Sequence, residues 1–330
     1  RLPIAEAMNE AKCLAKEYLR VGYQKIHIDT SQPCCDDPSV LPLSVMAARS
    51  AELAALCEES VKSVRPFYVL GSEVPLPGGG CGKLGIPHTS RQSLDTTLSE
   101  FLQAFKNRKL ESAWERVYAM VVEAGVTFHG DRIHDFKPLP DLAQAISRYS
   151  GMVFEAHSTD FQRPDILKRM VENRFFILKV GPWLTYTLRE ALFLLELMER
   201  DMDGEPAARF QDTLIQAMLQ NPEYWRDYYL GNEKQVLYQL SYSYLDRCRY
   251  YLLLPEVIAA QNRLLKNLGP AVPETLISQY MPHQYLKVRS MGLSQDPREL
   301  IIDRICDVLG YYMEAGGRFS DKADSLIPVE

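Results

Sequence analysis

No apolar run in these 330 residues approaches the roughly 20 needed to span a bilayer. The longest candidate, residues 191–198, is short and sits in a charged stretch, so a transmembrane segment is not expected. No block of Lys and Arg occurs and the net charge is −6. Nucleic acid is therefore a poor partner, because neutralising phosphates needs clustered cations. No CxxC pair exists, and the adjacent Cys34 and Cys35 do not make a zinc spacing. The seven cysteines, an odd and scattered set, point to free thiols in a reducing cytoplasm, the expected location. No GxxxxGK[ST] string occurs, so a P-loop phosphotransferase is excluded. There is no internal repeat and no low-complexity tract. The opening Arg1-Leu2-Pro3 has neither an initiator Met nor a signal-peptide pattern, and the expectation is a chain that starts inside a longer one.

The sequence that remains is ordinary globular material, 46% hydrophobic and 24% charged, enough for one decorated barrel or a large and a small domain. Apolar residues at helical spacing over 4–20, followed by Gly22 as a C-terminal cap, lead into a short strand at 25–29. The unit then recurs: helix near 43–63 and strand 67–74; helix near 91–106 and strand 117–124. Two more follow, with a helix near 139–148 before a strand at 152–156, and a helix near 163–173 before a strand at 175–180. A long helix is expected from Thr185. Strands alternating with helices imply parallel pairing, which leaves a doubly wound sheet or a (β/α)₈ barrel with only five of its eight strands present. From about 205 the strand pattern stops. Helices are expected at 207–220, 233–252, 255–268, 273–290 and 297–315, with prolines near several starts. The expected division is 1–204, an incomplete barrel, and 205–330, an α-helical region.

Side chains alternate across a strand, so Lys25, His27 and Asp29 share one face opposite Ile26 and Ile28. Glu155 and His157 share a face opposite Phe154 and Ala156. Glu73, Glu123 and Lys179 stand near the ends of their strands. The carboxyl ends of parallel strands are where such folds bind ligands, so five ionisable strand ends suggest a site. An internal ion pair of Lys179 with Glu155 is the structural alternative. The loop 71–80 carries glycines and prolines that let backbone approach a ligand. Ser158 and Thr159, before a helix starting near Pro164, can cap that helix or bind phosphate. The turn 179–185, with Gly181 and Thr185, is a second candidate phosphate cradle. His157, flanked by Glu155 and Asp160, is the candidate metal ligand, within reach of His27, Asp29 or Glu73. His88, His129 and His134 are alternatives in loops, and His283 is expected to be structural.

Several strings carry a resemblance: KIHIDTS (25–31), GSEVPLPGG (71–79), FEAHSTDFQ (154–162), ILKVGPWLTYTLREALF (177–193), SYSYLDRCRYY (241–251) and ISQYMPHQY (277–285). Together they resemble the GatZ/KbaZ family, the Z-type subunits of class II D-tagatose-1,6-bisphosphate aldolase, over nearly the whole chain. The resemblance implies a TIM barrel with an appended helical region. It also implies a further N-terminal segment with a Gly-Asp-His-Leu-Gly-Pro motif, of a kind that supplies a catalytic Asp and a metal-ligand His in related class II aldolases; neither is present in this sequence. One departure is Glu123-Ala124-Gly125-Val126-Thr127-Phe128, where the family pattern reads Gln-Pro-Gly-Val-Glu-Phe.

Two functions follow from that resemblance. One is a Z-type subunit that supports the catalytic Y subunit of the aldolase in tagatose-phosphate catabolism. The other is a D-tagatose 6-phosphate 4-epimerase that cleaves and re-forms a carbon–carbon bond by retro-aldol and aldol steps, with a divalent metal, zinc being the expected ion, as Lewis acid. The expected site is Asp29, Glu73, Asp160 and Lys179 as catalytic residues. His157 is the expected metal ligand, and Ser158, Thr159, Gly181 and Thr185 bind a ketose-phosphate substrate. Lys179 as a Schiff-base nucleophile is a third possibility, and a homo-oligomer is expected.

Overall fold

A computed structural model describes residues 1–61, 64–72, 88–204 and 207–317. Glu73 and the glycine-rich segment 73–80 lie outside the described residues.

In chain order the first part runs α1 (Ile4–Arg20), β1 (Lys25–Asp29), α2 (Leu43–Ser60), β2 (Phe67–Gly71), α3 (Arg91–Asn107), α4 (Glu111–Trp114) and β3 (Val117–Val121). A small hairpin, β4 (Thr127–Phe128) with β5 (Ile133–His134), precedes α5 (Pro140–Ile146), β6 (Val153–Ala156), α6 (Pro164–Glu172) and β7 (Phe175–Leu178). The helical part comprises α7 (Pro182–Asp203), α8 (Phe210–Gln220), α9 (Glu233–Tyr242), α10 (Pro255–Asn267), α11 (Glu274–Tyr280), α12 (Pro282–Met291) and α13 (Pro297–Ala315).

The five long strands form one parallel sheet in the order β1-β2-β3-β6-β7, which is their order along the chain. A doubly wound sheet reverses direction at a switch point, whereas a barrel wall adds each strand beside the last. The order therefore gives a TIM-like wall with C-terminal helices. Its outer face carries Ile26, Ile28, Tyr68, Leu70, Met120, Phe154 and Phe175, packed under α2, α3, α5 and α6. A smaller apolar group, Val69, Ala119 and Val121 with Tyr118, Val153 and Ile177, lines the inner face. Tyr118 reaches that face because the register slips between Tyr68 and Val69, placing one extra β3 residue there.

The helical part has its own core, which includes α7 residues Ala191, Leu192, Leu195 and Met198 together with Leu214, Val257, Leu264 and Ile277. Two helices expected as continuous are broken. The stretch 233–252 ends as an α-helix at Tyr242, because Ser243 is extended (φ −65, ψ 136), and a 3₁₀ turn follows the left-handed Asp246 (φ +44) at Arg247–Tyr250. The stretch 273–290 divides at Met281, where Pro282 has no N–H to continue the ladder. The six described cysteines are free, and no helix among the described residues is long and apolar enough to cross a membrane.

Candidate active site

Alternation on β1 buries Ile26 and Ile28 in the outer core and turns Lys25, His27 and Asp29 to the inside. On β6, Phe154 and Ala156 enter the outer core, while Glu155 faces inward and is completely buried. Three nitrogens converge on its carboxylate. Glu155 Oε1 lies 2.9 Å from His157 Nε2, 3.1 Å from His27 Nδ1 and 3.2 Å from Lys179 Nζ. The Lys25 ammonium stands 3.9 Å from Oε2, which has no hydrogen-bond partner among the described residues. The two imidazoles meet edge to face with ring centres 5.8 Å apart.

Burial by itself pushes the Glu155 carboxyl up. The hydrogen bonds from His157 and His27, with the His27 and Lys179 charges, outweigh that cost and hold it well below the usual carboxylate range. Glu155 is therefore a buried carboxylate, kept ionised by its ring of nitrogens. His27 Nδ1 also lies 3.3 Å from Lys179 Nζ. One ring nitrogen cannot donate to Glu155 and accept from Lys179 together, so the cluster has two mutually exclusive proton arrangements.

The residues fit a divalent cation. His27, Glu155 and His157 each offer one ligand atom, all within 4.8 Å of one another. Around a tetrahedral zinc, neighbouring ligand atoms stand roughly 3.3 Å apart, given Zn–N near 2.0–2.1 Å. The 2.9 and 3.1 Å contacts to Glu155 Oε1 are close to that spacing. Two imidazoles and one carboxylate also form a donor set that leaves a coordination position open for substrate. The orphaned Glu155 Oε2 adds an unused acceptor.

The remaining sequence-predicted residues divide into two groups. Asp29 lies exposed at the end of β1, its Oδ1 accepting from the Ser31 N–H at 2.9 Å and the Ser31 hydroxyl at 2.6 Å. Lys179 joins the cluster just past β7, its side chain 41% exposed. Ser158 adjoins His157 with left-handed backbone (φ +55). The others are engaged in holding the loops. Asp160 is buried, and its Oδ1 accepts from the N–H groups of Gly181 and Trp183 at 2.8 and 2.9 Å, capping α7. With Pro182 lacking an N–H, little of that helix start is left to cradle a phosphate. Thr159 is buried and donates to the Lys179 carbonyl at 2.7 Å. Thr185 donates to Asp246 Oδ2 at 2.8 Å, part of a buried network in which Arg189 Nε pairs with Asp246 Oδ1 at 3.0 Å. Neither Ser158 nor Thr159 caps α6, whose N-cap residue is Arg163. Phe161 is also left-handed (φ +62) and is held by the rings of Phe128, Trp183, Tyr186 and Tyr244.

The sequence placed His27 within reach of His157 and Glu155 in the convergence, but named only His157 as the metal ligand and gave Lys25 no role. The alternation in Lys25-Ile26-His27-Ile28-Asp29 already carried the signal for Lys25.

The chain matches the family described as D-tagatose-1,6-bisphosphate aldolase subunit GatZ/KbaZ-like over residues 1–317. It belongs to the GatZ/KbaZ-like family. A solved structure described as a probable tagatose 6 phosphate kinase from Sinorhizobium meliloti 1021 has 35% sequence identity and a TM-score of 0.86. The match covers 95% of this chain and 78% of that one. A fructuronate-tagaturonate epimerase from Cohnella laeviribosi matches more weakly, at 12% identity and a TM-score of 0.40 over 90% of this chain and 66% of that one, which is too distant to bear on fold or activity. Membership places this GatZ/KbaZ-like chain in carbohydrate metabolism related to tagatose-bisphosphate aldolase.

Proposed function

We propose that this GatZ/KbaZ-like protein acts on a ketose phosphate of the tagatose type at the ends of β1, β6 and β7, as a 4-epimerase working by retro-aldol cleavage and re-addition. The observation that carries this reading is the ionised, fully buried Glu155 between His27, His157 and Lys179. A scaffold gains little from such a group, because a buried ion cluster is no more stabilising than well-packed apolar residues of the same size.

A divalent cation held by His27, Glu155 and His157, zinc being the expected ion, would supply Lewis-acid polarisation of the substrate carbonyl. The protein's own groups do the rest. Lys179, half exposed and cationic, attracts the anionic substrate and stabilises negative charge on its oxygen as the carbon–carbon bond breaks. Asp29 keeps Oδ2 clear of its Ser31 bonds and can take, then return, the proton of the C4 hydroxyl. Ser158, next to His157 in the chain, supplies a hydroxyl that can hold the phosphate.

A second reading, a Z-type subunit supporting a catalytic aldolase subunit, is favoured by membership of a family of aldolase subunits. One experiment separates them. The protein is incubated alone with D-tagatose 6-phosphate and a divalent metal, then mixed with the catalytic subunit. Formation of D-fructose 6-phosphate by the protein alone supports the epimerase. No conversion alone, with rescue of the catalytic subunit on mixing, replaces it with the subunit reading.

A further inference from the structure

Tyr312 belongs to α13, the last helix of the helical part, yet its hydroxyl ends beside the strand-end cluster. α13 packs against α6 and α7, and Trp183 in the first turn of α7 meets the rings of Tyr311 and Tyr312 at 5.9 and 6.0 Å. Tyr312 Oη donates to the Thr159 carbonyl at 3.0 Å and lies 3.2 Å from Thr159 Oγ1. Thr159 Oγ1 in turn donates to the Lys179 carbonyl at 2.7 Å, and the Lys179 N–H closes back onto the Ala156 carbonyl at 2.9 Å. Each hydroxyl has one proton, and each is spent on a backbone carbonyl.

These bonds fasten two backbone positions that matter. Thr159 is two residues beyond His157, with the left-handed Ser158 between them, a conformation that costs a non-glycine residue energy and persists only where its surroundings impose it. Lys179 is the residue whose ammonium meets Glu155 and His27. We propose that Tyr312 is a positioning residue of the strand-end site, acting through Thr159 to hold the backbone of His157 and Lys179 in register. The helical part thus contributes to the site without any of its described side chains entering the cluster. The inference rests on the metal-site reading only for its second readout.

The full chain is labelled with ¹⁵N-histidine and compared as wild type, Tyr312→Phe, Tyr311→Phe, Thr159→Val and Thr159→Ser, with His157→Gln to assign the signal. Without metal, the His157 ring nitrogens, which report its bond to Glu155, are expected to shift in Tyr312→Phe and Thr159→Val. They are expected to stay at the wild-type position in Tyr311→Phe, which keeps the helix packing, and in Thr159→Ser, which keeps the hydroxyl. Cobalt(II) affinity is expected to fall by roughly 10–100-fold in the first pair, as for lost outer-shell partners of a metal ligand. In the second pair it is expected to stay close to wild type. Unchanged His157 signals in Tyr312→Phe overturn the proposal. If that variant does not fold, a Thr159→Val spectrum matching Thr159→Ser overturns it. Failure of the wild type to bind cobalt(II) sinks the metal reading, while the histidine spectra still decide the role of Tyr312.

Discussion

His27 Nδ1 and Lys179 Nζ lie 3.3 Å apart, although β1, which carries the histidine, and β7, which ends one residue before the lysine, form the two edges of the five-stranded sheet. Four strand spacings of about 4.8 Å would separate the edges of a flat sheet by roughly 19 Å. The sheet must therefore curl until side chains from its edges meet across the concave face, as the wall of a barrel does. That curvature assembles the cluster, because Glu155 on β6 then lies within reach of both edges.

The Lys179 ammonium lies 3.2 Å from Oε1 of the Glu155 carboxylate, the group that would help to hold a metal. Lys179→Met should therefore bind cobalt(II) or zinc several-fold more tightly than wild type, since a competing cation is gone, while turnover of a ketose phosphate falls. Isothermal titration beside a steady-state assay checks both. Weaker metal binding in Lys179→Met would show that the lysine supports the ligands.

Glu155→Gln removes the charge but nearly preserves shape. Metal affinity should drop by more than the roughly 10–100-fold typical of outer-shell losses, because a direct ligand is altered. Stability should change by less than about 2 kcal/mol, since His27 and Lys179 are partly exposed and can turn to solvent. A loss of about 3–5 kcal/mol in urea unfolding, the usual cost of breaking a buried ion pair, would mark the cluster as chiefly structural.

For Asp160 the geometry sets a cap against a catalytic role. Asp160→Asn keeps an oxygen for the Gly181 and Trp183 N–H groups, and burial already pushes the Asp160 carboxyl up toward its neutral form. That variant should unfold within about 1 kcal/mol of wild type, whereas Asp160→Ala should lose about 1–2 kcal/mol or more, the scale of a lost cap. If Asp160→Asn is as stable as wild type yet inactive, the carboxylate has a chemical role as well.

Stability at low pH should depend on Asp37. Two hydrogen bonds from Arg49, at 2.8 and 2.7 Å, are the main reason its carboxyl is held down at about 2, with the Cys34 N–H assisting and burial opposing. Its folded value lies below the unfolded value of about 3.9, so the pair stabilises the fold above that pH and the gain is lost as pH falls toward 2. Asp37→Asn should lower the melting temperature at pH 7, and the gap to wild type should narrow between pH 4 and 2. A gap that stays constant with pH would rule out this linkage.

Much of the barrel wall was legible in the sequence because period-2 and period-3.6 patterns are local. Lys25-Ile26-His27-Ile28-Asp29 predicts both its strand and its two faces, and β1 spans those five residues. The later strands end two or three residues short of some expected bounds, since apolar composition continues past the last paired position, as at Val122. Strand-end position likewise marked His157 and Lys179 for the site. It also marked Asp160, Thr159 and Thr185, because a polar residue after a strand looks the same in sequence whether it faces a ligand or caps the next helix. Only the positions of the Gly181 and Trp183 N–H groups, the Lys179 carbonyl and Asp246 show where those three side chains are spent.

What the sequence determined alone was therefore the alternation of strands and helices, the inward set His27, Asp29, Glu155 and the absence of spans and P-loops. These depend on neighbours a few residues apart, and the backbone fixes them. Tertiary structure decided the curl that brings His27 to Lys179 across 152 positions of chain. It also decided the convergence of three nitrogens on Glu155 Oε1, and the return of α13 to place Tyr312 on Thr159. Those contacts follow from how a whole sheet twists and what a distant helix must bury, and no local pattern encodes either.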